Sequence, residues 1–182
     1  FRDQLLEKAE SMMADRNIDE MEKKETARKI AFWAMKFGML LQDSEKKIIF
    51  DKETALSFEW ETGPYLQYTT ARMSSILRKN QWNLDWVDNR DLLSSDEEKA
   101  LILKLAGFEE EVQKAANEYK PNYVARRCLD VAQLFNSYYH NHKIIDENNE
   151  KLSKMRLVLL KSILQVMKNA LNLLWIEVVE SM

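Results

Sequence analysis

Glycine and proline are scarce in this sequence of 182 residues, which contains 3 glycines and 2 prolines. Average proteins contain roughly 7% glycine and roughly 5% proline. Tight hairpin turns need glycine, and so do the loops that wrap around nucleotide phosphates. The composition therefore argues against a dinucleotide-binding fingerprint or a phosphate-binding loop of the Walker type, and neither motif occurs. It favours long helices joined by few special turns, so we expect an all-α fold.

Cysteine is nearly absent as well. Cys128 is the single cysteine, which excludes an internal disulfide and a zinc-binding thiolate cluster. We expect a packed, unreactive thiol and a reducing, cytoplasmic compartment. No apolar run approaches the roughly 18 residues of a membrane span, and no signal peptide precedes the alternating pattern that starts at Arg2. The sequence begins at Phe1 without an initiator methionine, which suggests a fragment of a longer protein.

Histidine is also rare. His140 and His142 are the only two, and Asn141 separates them. On a helix these two side chains point to different faces, so a shared metal ion is not expected. No serine or cysteine has a plausible base partner in the sequence. We therefore expect no catalytic, cofactor-binding or metal-binding site in this chain.

Apolar residues recur every three or four positions along most of the chain, which is typical of amphipathic helices. The short run Ile48–Phe50 is β-like, and residues 80–94 are predicted to form an ordered loop. Gly107 is expected to end its helix at the position that favours a left-handed glycine. The predicted helices span residues 2–15, 19–41, 62–79, 95–107, 108–119, 121–141 and 150–174, with a further start at Asp51.

Several helix starts carry recognisable caps. Thr62 is a candidate N-cap, followed by Gly63 and Pro64 in the first helical turn. A serine or aspartate followed three residues later by glutamate predicts a capping box, in which each side chain binds the other residue's backbone N–H. The pairs that fit this pattern are Asp19 with Glu22 and Ser95 with Glu98.

The formal charge is −3, so the total charge does not indicate a nucleic-acid-binding protein. Basic residues are nonetheless separated from acidic ones along the chain. Residues 62–84 and residues 151–174 contain no acid. Their basic side chains are Arg72, Arg78 and Lys79 in the first segment, and Lys151, Lys154, Arg156, Lys161 and Lys168 in the second. Helices of this kind either line one basic face or carry ordinary solvated stripes.

The run from Thr62 to Arg72 is the most informative stretch. Tyr65 and Tyr68 are spaced at i, i+3, and Arg72 lies one helical turn beyond Tyr68. Aromatic rings and a guanidinium on one helical face suit stacking on unpaired bases and contact with phosphate. The alternative from spacing alone is a buried aromatic stripe, with Arg72 paired internally to an acid such as Glu59 or Glu61.

Three blocks of the sequence resemble the C-terminal part of arginyl-tRNA synthetases, in the family's order. They are Ile48–Arg72 with its Thr-Gly-Pro-Tyr-Leu-Gln-Tyr run, Lys120–Tyr139 with its Phe-Asn-Ser-Tyr-Tyr run, and Arg156–Met182. The resemblance covers about residues 30–182. It implies a helical bundle of the class I synthetase anticodon-binding type, which is named for an Asp-Ala-Leu-Arg sequence. It further implies that residues 1–60 connect to a catalytic region and that residues 61–182 form the anticodon-binding domain.

The resemblance also implies a binding groove for the anticodon loop of an arginine tRNA, whose middle base is cytosine. The implied contacts come from Tyr65, Tyr68, Arg72, Tyr139 and Met182 with its terminal carboxylate. Tyr138 and Tyr139 face different sides of their helix, so at most one of them meets RNA. Arg156 is expected to be a structural ion-pair partner, whereas Tyr123 and Phe135 are expected to pack.

The implied parent enzyme attaches arginine to its tRNA and uses ATP with magnesium, bound by a His-x-Gly-His motif and a Lys-Met-Ser type loop. Neither motif is present, so the fragment itself needs no cofactor. Its partners are the tRNA and the missing catalytic domain, not a membrane. The sequence departs from the family at Trp60-Glu61, at Thr69-Thr70 and at Trp175, where glycine is usual and where tryptophan is expected to fill space. These departures keep open a helical protein–protein interaction module without RNA binding.

Overall fold

The computed structural model describes residues 2–13, 19–47, 56, 62–80, 82 and 90–178. These residues form α-helices, one short 3₁₀ turn at Arg90–Leu92 and no strand, which confirms the all-α prediction. Ile48–Phe50, the helix start at Asp51, most of the loop 80–94 and Met182 lie outside the described residues. The helices are α1 (Arg2–Met13), α2 (Glu20–Leu40), α3 (Gly63–Lys79), α4 (Asp96–Ala106), α5 (Phe108–Asn117), α6 (Asn122–Asn141) and α7 (Glu150–Leu173).

The predicted N-caps are present. The Thr62 hydroxyl accepts a hydrogen bond from the Tyr65 N–H at 3.2 Å, which anchors the first turn of α3. Ser95 and Glu98 form the complete capping box at the start of α4. Asp19 caps α2 by accepting from the Met21 N–H at 3.0 Å.

The helices enclose two apolar clusters. α1 packs on one face of α2 around Leu5, Ala9 and Ile30. The same helix contributes Trp33 and Phe37 to a larger core shared with α3, α4, α6 and α7. Cys128 lies buried in this core, which confirms its predicted packing, and burial raises the pKa of its thiol to about 12. No helix in the described residues has the length and apolar character needed to cross a lipid bilayer.

Gly63 allows α3 to approach the backbone of α2. A Cβ atom at this position would lie 3.0 Å from the Trp33 carbonyl oxygen and 3.2 Å from its carbonyl carbon. Backbone atoms inside a helix cannot move aside cheaply, so a side chain here forces the helices apart. Gly107 has a different environment, because its φ is −80° and the nearest atom to a Cβ would be the tip of Arg127 at 3.7 Å.

The two glycines should therefore respond in opposite ways to alanine. Gly63→Ala is expected to lower the free energy of unfolding by about 1–3 kcal/mol through overpacking against α2. Gly107→Ala is expected to raise it by about 0.4–1 kcal/mol, because alanine restricts the unfolded chain at no steric cost. Urea denaturation of both variants tests the contrast, and equal shifts would contradict it.

In the described part of the chain, the left-handed backbone positions are occupied by aromatic residues. The helix α4 ends at Gly107 as predicted, but Gly107 is its C-cap with a φ of −80° and does not occupy the left-handed C′ position. Tyr119 and Trp175 have φ values of 55° and 56°. Each closes a Schellman motif: beyond α7, for example, the Ile176 N–H donates to the Leu171 carbonyl at 2.8 Å.

Trp175 does not fill space, contrary to the expectation from the sequence, because its residue surface is 84% exposed. Its backbone holds the tail instead: the Lys36 ammonium donates to the Trp175 carbonyl at 2.8 Å, and the Gln67 side chain donates to the Glu177 carbonyl at 2.6 Å. The tail following α7 thus contacts α2 and α3 through its main chain.

Glycine should suit this turn better than tryptophan does. A left-handed L-residue costs about 1–2 kcal/mol, of which the greater freedom of glycine in the unfolded chain offsets about 0.4–1 kcal/mol. We expect Trp175→Gly to raise the free energy of unfolding by about 0.5–1 kcal/mol. Trp175→Ala is the control, because alanine keeps the left-handed strain and should show no gain in chemical denaturation.

A buried carboxylate joins three helices. Glu98 of α4 accepts hydrogen bonds at 2.9 Å from both the Tyr138 hydroxyl of α6 and the Arg156 Nε of α7. Its other oxygen accepts from the Ser95 N–H at 3.1 Å. Burial alone would raise the pKa of Glu98, but these three donors outweigh it and hold the pKa below its ordinary value. Arg156 is thus the structural ion-pair partner that the sequence predicted.

Removing this charge should be costly. Glu98→Gln leaves Arg156 without its counter-ion in a largely buried site, so we expect a loss of about 3 kcal/mol in the free energy of unfolding. Since the folded pKa lies below the unfolded value of about 4.3, the carboxylate stabilises the fold above that pH, and this contribution disappears as the pH falls through the folded pKa. The variant should therefore lose less stability than the wild type on acidification.

The matched control is Glu109→Gln, which removes an exposed carboxylate from the first turn of α5. The Glu109 carboxylate accepts a hydrogen bond from the Gln113 amide at 3.4 Å, which a glutamine oxygen can also accept. The change therefore costs chiefly a favourable helix-dipole interaction, well below about 1 kcal/mol. Guanidinium denaturation at neutral and acidic pH compares the two variants. Similar losses in both would show that the Glu98 charge contributes nothing beyond its place in the helix.

Candidate nucleic-acid interface

An open cleft of about 890 Å³ lies between the second half of α3, the end of α6 and the loop that follows α6. Its walls combine aromatic, basic and small apolar side chains. Among the residues that the structure describes, the lining contains no Asp or Glu. The lining residues are Tyr68, Ala71, Arg72, Ser75, Ile76, Arg78, Lys79, Asn80, Tyr139, His140, Asn141, His142, Lys143, Ile144 and Ile145.

The first end of the cleft is an aromatic–guanidinium cluster formed by Tyr68, Arg72 and Tyr139. The Arg72 guanidinium carbon lies 4.6 Å from the centre of the Tyr68 ring and 5.4 Å from that of Tyr139. Arg72 also donates a hydrogen bond to the Tyr68 hydroxyl at 2.8 Å. Tyr68 and Tyr139 are 42% and 39% exposed. One accessible ring from α3 and one from α6 thus lie around a single cation.

Tyr65 lies behind this cluster and does not line the cleft. Its hydroxyl accepts a hydrogen bond from the Asn136 amide at 2.8 Å, and the same amide nitrogen donates to the Thr69 hydroxyl at 3.1 Å. The Asn136 oxygen lies 3.5 Å from an Arg72 nitrogen. Sequence reasoning missed Asn136, although a polar residue one turn before Tyr139 on an amphipathic helix was an available signal.

The two neighbouring tyrosines of α6 separate as predicted. Tyr138 is 1% exposed and binds Glu98, and burial followed by the charge of that carboxylate raises the pKa of its hydroxyl. Tyr139 faces the cleft and stacks on the buried Phe135 with ring centres 5.9 Å apart. The predicted packing role of Phe135 is confirmed. Met182 lies outside the described residues, so its place at the groove edge stays a prediction.

The second end of the cleft is basic. Arg78 and Lys79 come from the last turn of α3, and Lys143 comes from the loop after α6. The basic residues of α7 do not line the cleft, whereas those of α3 do. The two segments without acids therefore do not form one common basic face. Arg156 is directed to Glu98, and Lys154 pairs with Glu150 at 2.6 Å.

Both histidines line the cleft, although the sequence predicted that they would point to different faces of one helix. The reason is local: α6 ends at Asn141, and His142 continues in extended backbone with φ −126° and ψ 134°. His142 stacks on Tyr138 and lies 3.3 Å from Glu97. The backbone N–H of Glu97 and then this histidine hold the pKa of the Glu97 carboxyl below its ordinary value. Within the described ranges, no group of three or more potential ligands is arranged to hold a metal ion.

These features suit a flexible, negatively charged ligand with flat rings. Exposed tyrosines offer surfaces on which bases stack, and a fixed guanidinium offers paired N–H donors to a base edge or a phosphate. The described lining residues include no carboxylate that would repel a polyanion. A single-stranded nucleic acid fulfils all three requirements.

Similar proteins are known by sequence and by structure. The chain is 40% identical over 177 residues to an arginine–tRNA ligase of Clostridium botulinum, with 97% of this chain and 31% of that protein covered. It is 41% identical over 180 residues to an arginine–tRNA ligase of Clostridium kluyveri, with 97% of this chain and 32% of that protein covered. The chain thus spans about a third of the length of the curated relatives it matches.

A solved structure extends the likeness to the fold. The arginyl-tRNA synthetase of Thermus thermophilus superposes with a TM-score of 0.86 at 34% identity, over 100% of this chain and 31% of that chain. The model of the DALR anticodon binding domain matches residues 66–182. The resemblance seen in the sequence is confirmed, and this chain belongs to the DALR anticodon-binding domain family.

Proposed function

We propose that this chain is the anticodon-binding domain of an arginine–tRNA ligase and that the cleft binds the unpaired anticodon loop of an arginine tRNA. The observation that carries the proposal is the aromatic–guanidinium cluster, which is accessible in a cleft whose described lining residues include no acid. Family membership and the likeness to arginine–tRNA ligases support it.

In this proposal the loop bases unstack from one another and stack on Tyr68 and Tyr139. Base–aromatic stacking contributes roughly 1–3 kcal/mol per base. Arg72 is already held by the Tyr68 hydroxyl, so little side-chain entropy is lost when it meets a base edge. Tyr65 acts indirectly, through the Asn136 amide that also reaches Arg72. Met182 is proposed at the edge of the same site.

The catalytic step belongs to the rest of the proposed ligase. ATP with magnesium and arginine are its further substrates, and the catalytic domain is the second partner of this chain. The described residues contain no glycine-rich phosphate loop, which fits this division of labour. A cytoplasmic location, where tRNA charging takes place, completes the proposal.

The departures from the family pattern do not weaken the cleft where the structure describes them. Thr69 and Thr70 are both 0% exposed, and the Thr70 hydroxyl donates to the Leu66 and Gln67 carbonyls of its own helix. These threonines lie in the helix interface and add nothing to the surface that RNA would meet. A protein–protein interaction module without RNA binding therefore gains no support from them.

The role of Arg72 is testable in the full-length ligase. Arg72→Ala removes the cation between the two rings, so we expect its affinity for an arginine tRNA to fall about tenfold to a hundredfold, equivalent to about 1.4–2.8 kcal/mol. The melting temperature should stay close to that of the wild type, because Arg72 makes no ion pair within the described part of the chain. Filter binding and thermal unfolding measure the two quantities.

Arg126→Ala is the matched control, since it removes an exposed arginine of α6 that does not line the cleft. Each protein is also tested with a tRNA whose middle anticodon base is changed from cytosine. The wild type should bind this RNA more weakly, and Arg72→Ala should narrow the difference. Equal binding of both RNAs by the wild type, or a large drop in melting temperature for Arg72→Ala, would count against the proposal.

A further inference from the structure

The cleft is longer than one stacked base needs. Tyr68, Arg72 and Lys79 share a face of α3, since positions i, i+4 and i+11 fall within about 40° of one another at 3.6 residues per turn. At about 1.5 Å per residue, Tyr68 and Lys79 lie about 16 Å apart along the helix. Stacked rings are separated by only about 4.5–7 Å. A base stacked on Tyr68 therefore leaves the basic end of the cleft to another part of the ligand.

That end holds a basic triad, formed by Arg78, Lys79 and Lys143. All three side chains are exposed and line the cleft. No ion pair joins any of them to a carboxylate in the described ranges. Glu97 stands nearby, but it is engaged by His142 at 3.3 Å and by the Asn141 amide at 3.4 Å.

The position of the triad is fixed by the fold. The Lys143 carbonyl accepts a hydrogen bond from Arg156 at 2.7 Å, and Arg156 is itself held by the buried Glu98. The Asn80 amide caps the Ile76 carbonyl at 2.8 Å and so defines the end of α3. The cations therefore extend from the end of α3 and from the loop after α6, and contacts with the core fix the positions of both elements.

Helix-dipole compensation does not account for this arrangement. Basic residues in the last turn of a helix do favour its negative end, which covers Arg78 and Lys79. Lys143 belongs to no helix, yet it lines the same cleft from the loop that follows α6. Cations from two separate elements, with no carboxylate among the described lining residues, are an arrangement that suits a nucleic-acid backbone.

We propose that the basic triad binds backbone phosphates of the RNA strand whose base occupies the aromatic end of the cleft. This inference rests on the proposed anticodon binding and adds a second, sequence-independent half to the site. Phosphate contacts position the strand, whereas contacts with base edges identify it. Loss of the triad should thus weaken binding without changing which base is preferred.

The test uses the full-length ligase with Arg78→Gln, Lys79→Gln and Lys143→Gln combined. Affinities for the arginine tRNA and its middle-base variant are measured from about 50 to about 200 mM salt. Each phosphate contact with a single strand contributes about 0.7 to the slope of log affinity against log salt. We expect the slope to become shallower by about 2, and both RNAs to weaken by the same factor.

The control combines Arg126→Gln, Lys151→Gln and Lys161→Gln, which removes the same number of arginines and lysines from exposed sites outside the cleft. Its slope should match that of the wild type. A tRNA with uncharged methylphosphonate linkages in its anticodon loop should weaken wild-type binding but cause little further loss in the triad variant. Thermal unfolding checks the fold, and Lys143→Glu alone replaces the triple variant if that variant unfolds.

The possible outcomes separate the two proposals. An unchanged slope in the triad variant, or an equal fall in the control, overturns the phosphate inference while base discrimination by the wild type upholds anticodon binding. A narrowed preference for the middle cytosine in the triad variant also overturns it, because the cations would then contact the base. If the wild type binds the arginine tRNA and its middle-base variant equally well, the proposed function itself is overturned.

Discussion

The buried ion pair between Glu98 and Arg156 sets the geometry on which the cleft depends. One carboxylate takes donors from α4, α6 and α7, and Arg156 extends the network to the Lys143 carbonyl. Tyr138 is tied inward by the same carboxylate, which turns its neighbour Tyr139 toward solvent. A buried charge is expensive unless every partner is in place. This requirement explains why one arrangement of the three helices is favoured over slightly shifted alternatives.

The chemistry of the cleft follows from helical periodicity on α3. One face carries Tyr68, Arg72 and Lys79 to the cleft, while Leu66 and Met73 are directed to the core. The same helix is therefore structural on one side and ligand-facing on the other. Because the cations belong to a helix and a pinned loop, their spacing exists before any ligand arrives, which lowers the ordering cost of binding.

Local signals predicted the helices well. Thr62, Ser95 and Asp19 were identifiable as caps because their hydrogen bonds involve only residues two or three positions away. Long-range partners were not accessible in this way: no spacing rule connects Asn136 to Tyr65, or Lys143 to Arg156. The expected left-handed glycine is not found. The backbone adopts that conformation at Tyr119 and Trp175 instead, where each residue closes a hydrogen-bonded turn at the end of a helix.

The contact between Gly63 and α2 bears on what counts as a unit in this protein. The family match begins at Leu66, within the second turn of α3, yet the same apolar core includes Trp33, Phe37 and Leu41 from the α2 region. The part of the chain that matches the family is thus shorter than the part that forms the apolar core. A fragment that began at Leu66 would lack the Thr62 cap. It would also lack Trp33, and the apolar side chains that pack on Trp33 would be exposed to water. Helix α2, which precedes the matched domain in the sequence, therefore supplies part of that domain's core.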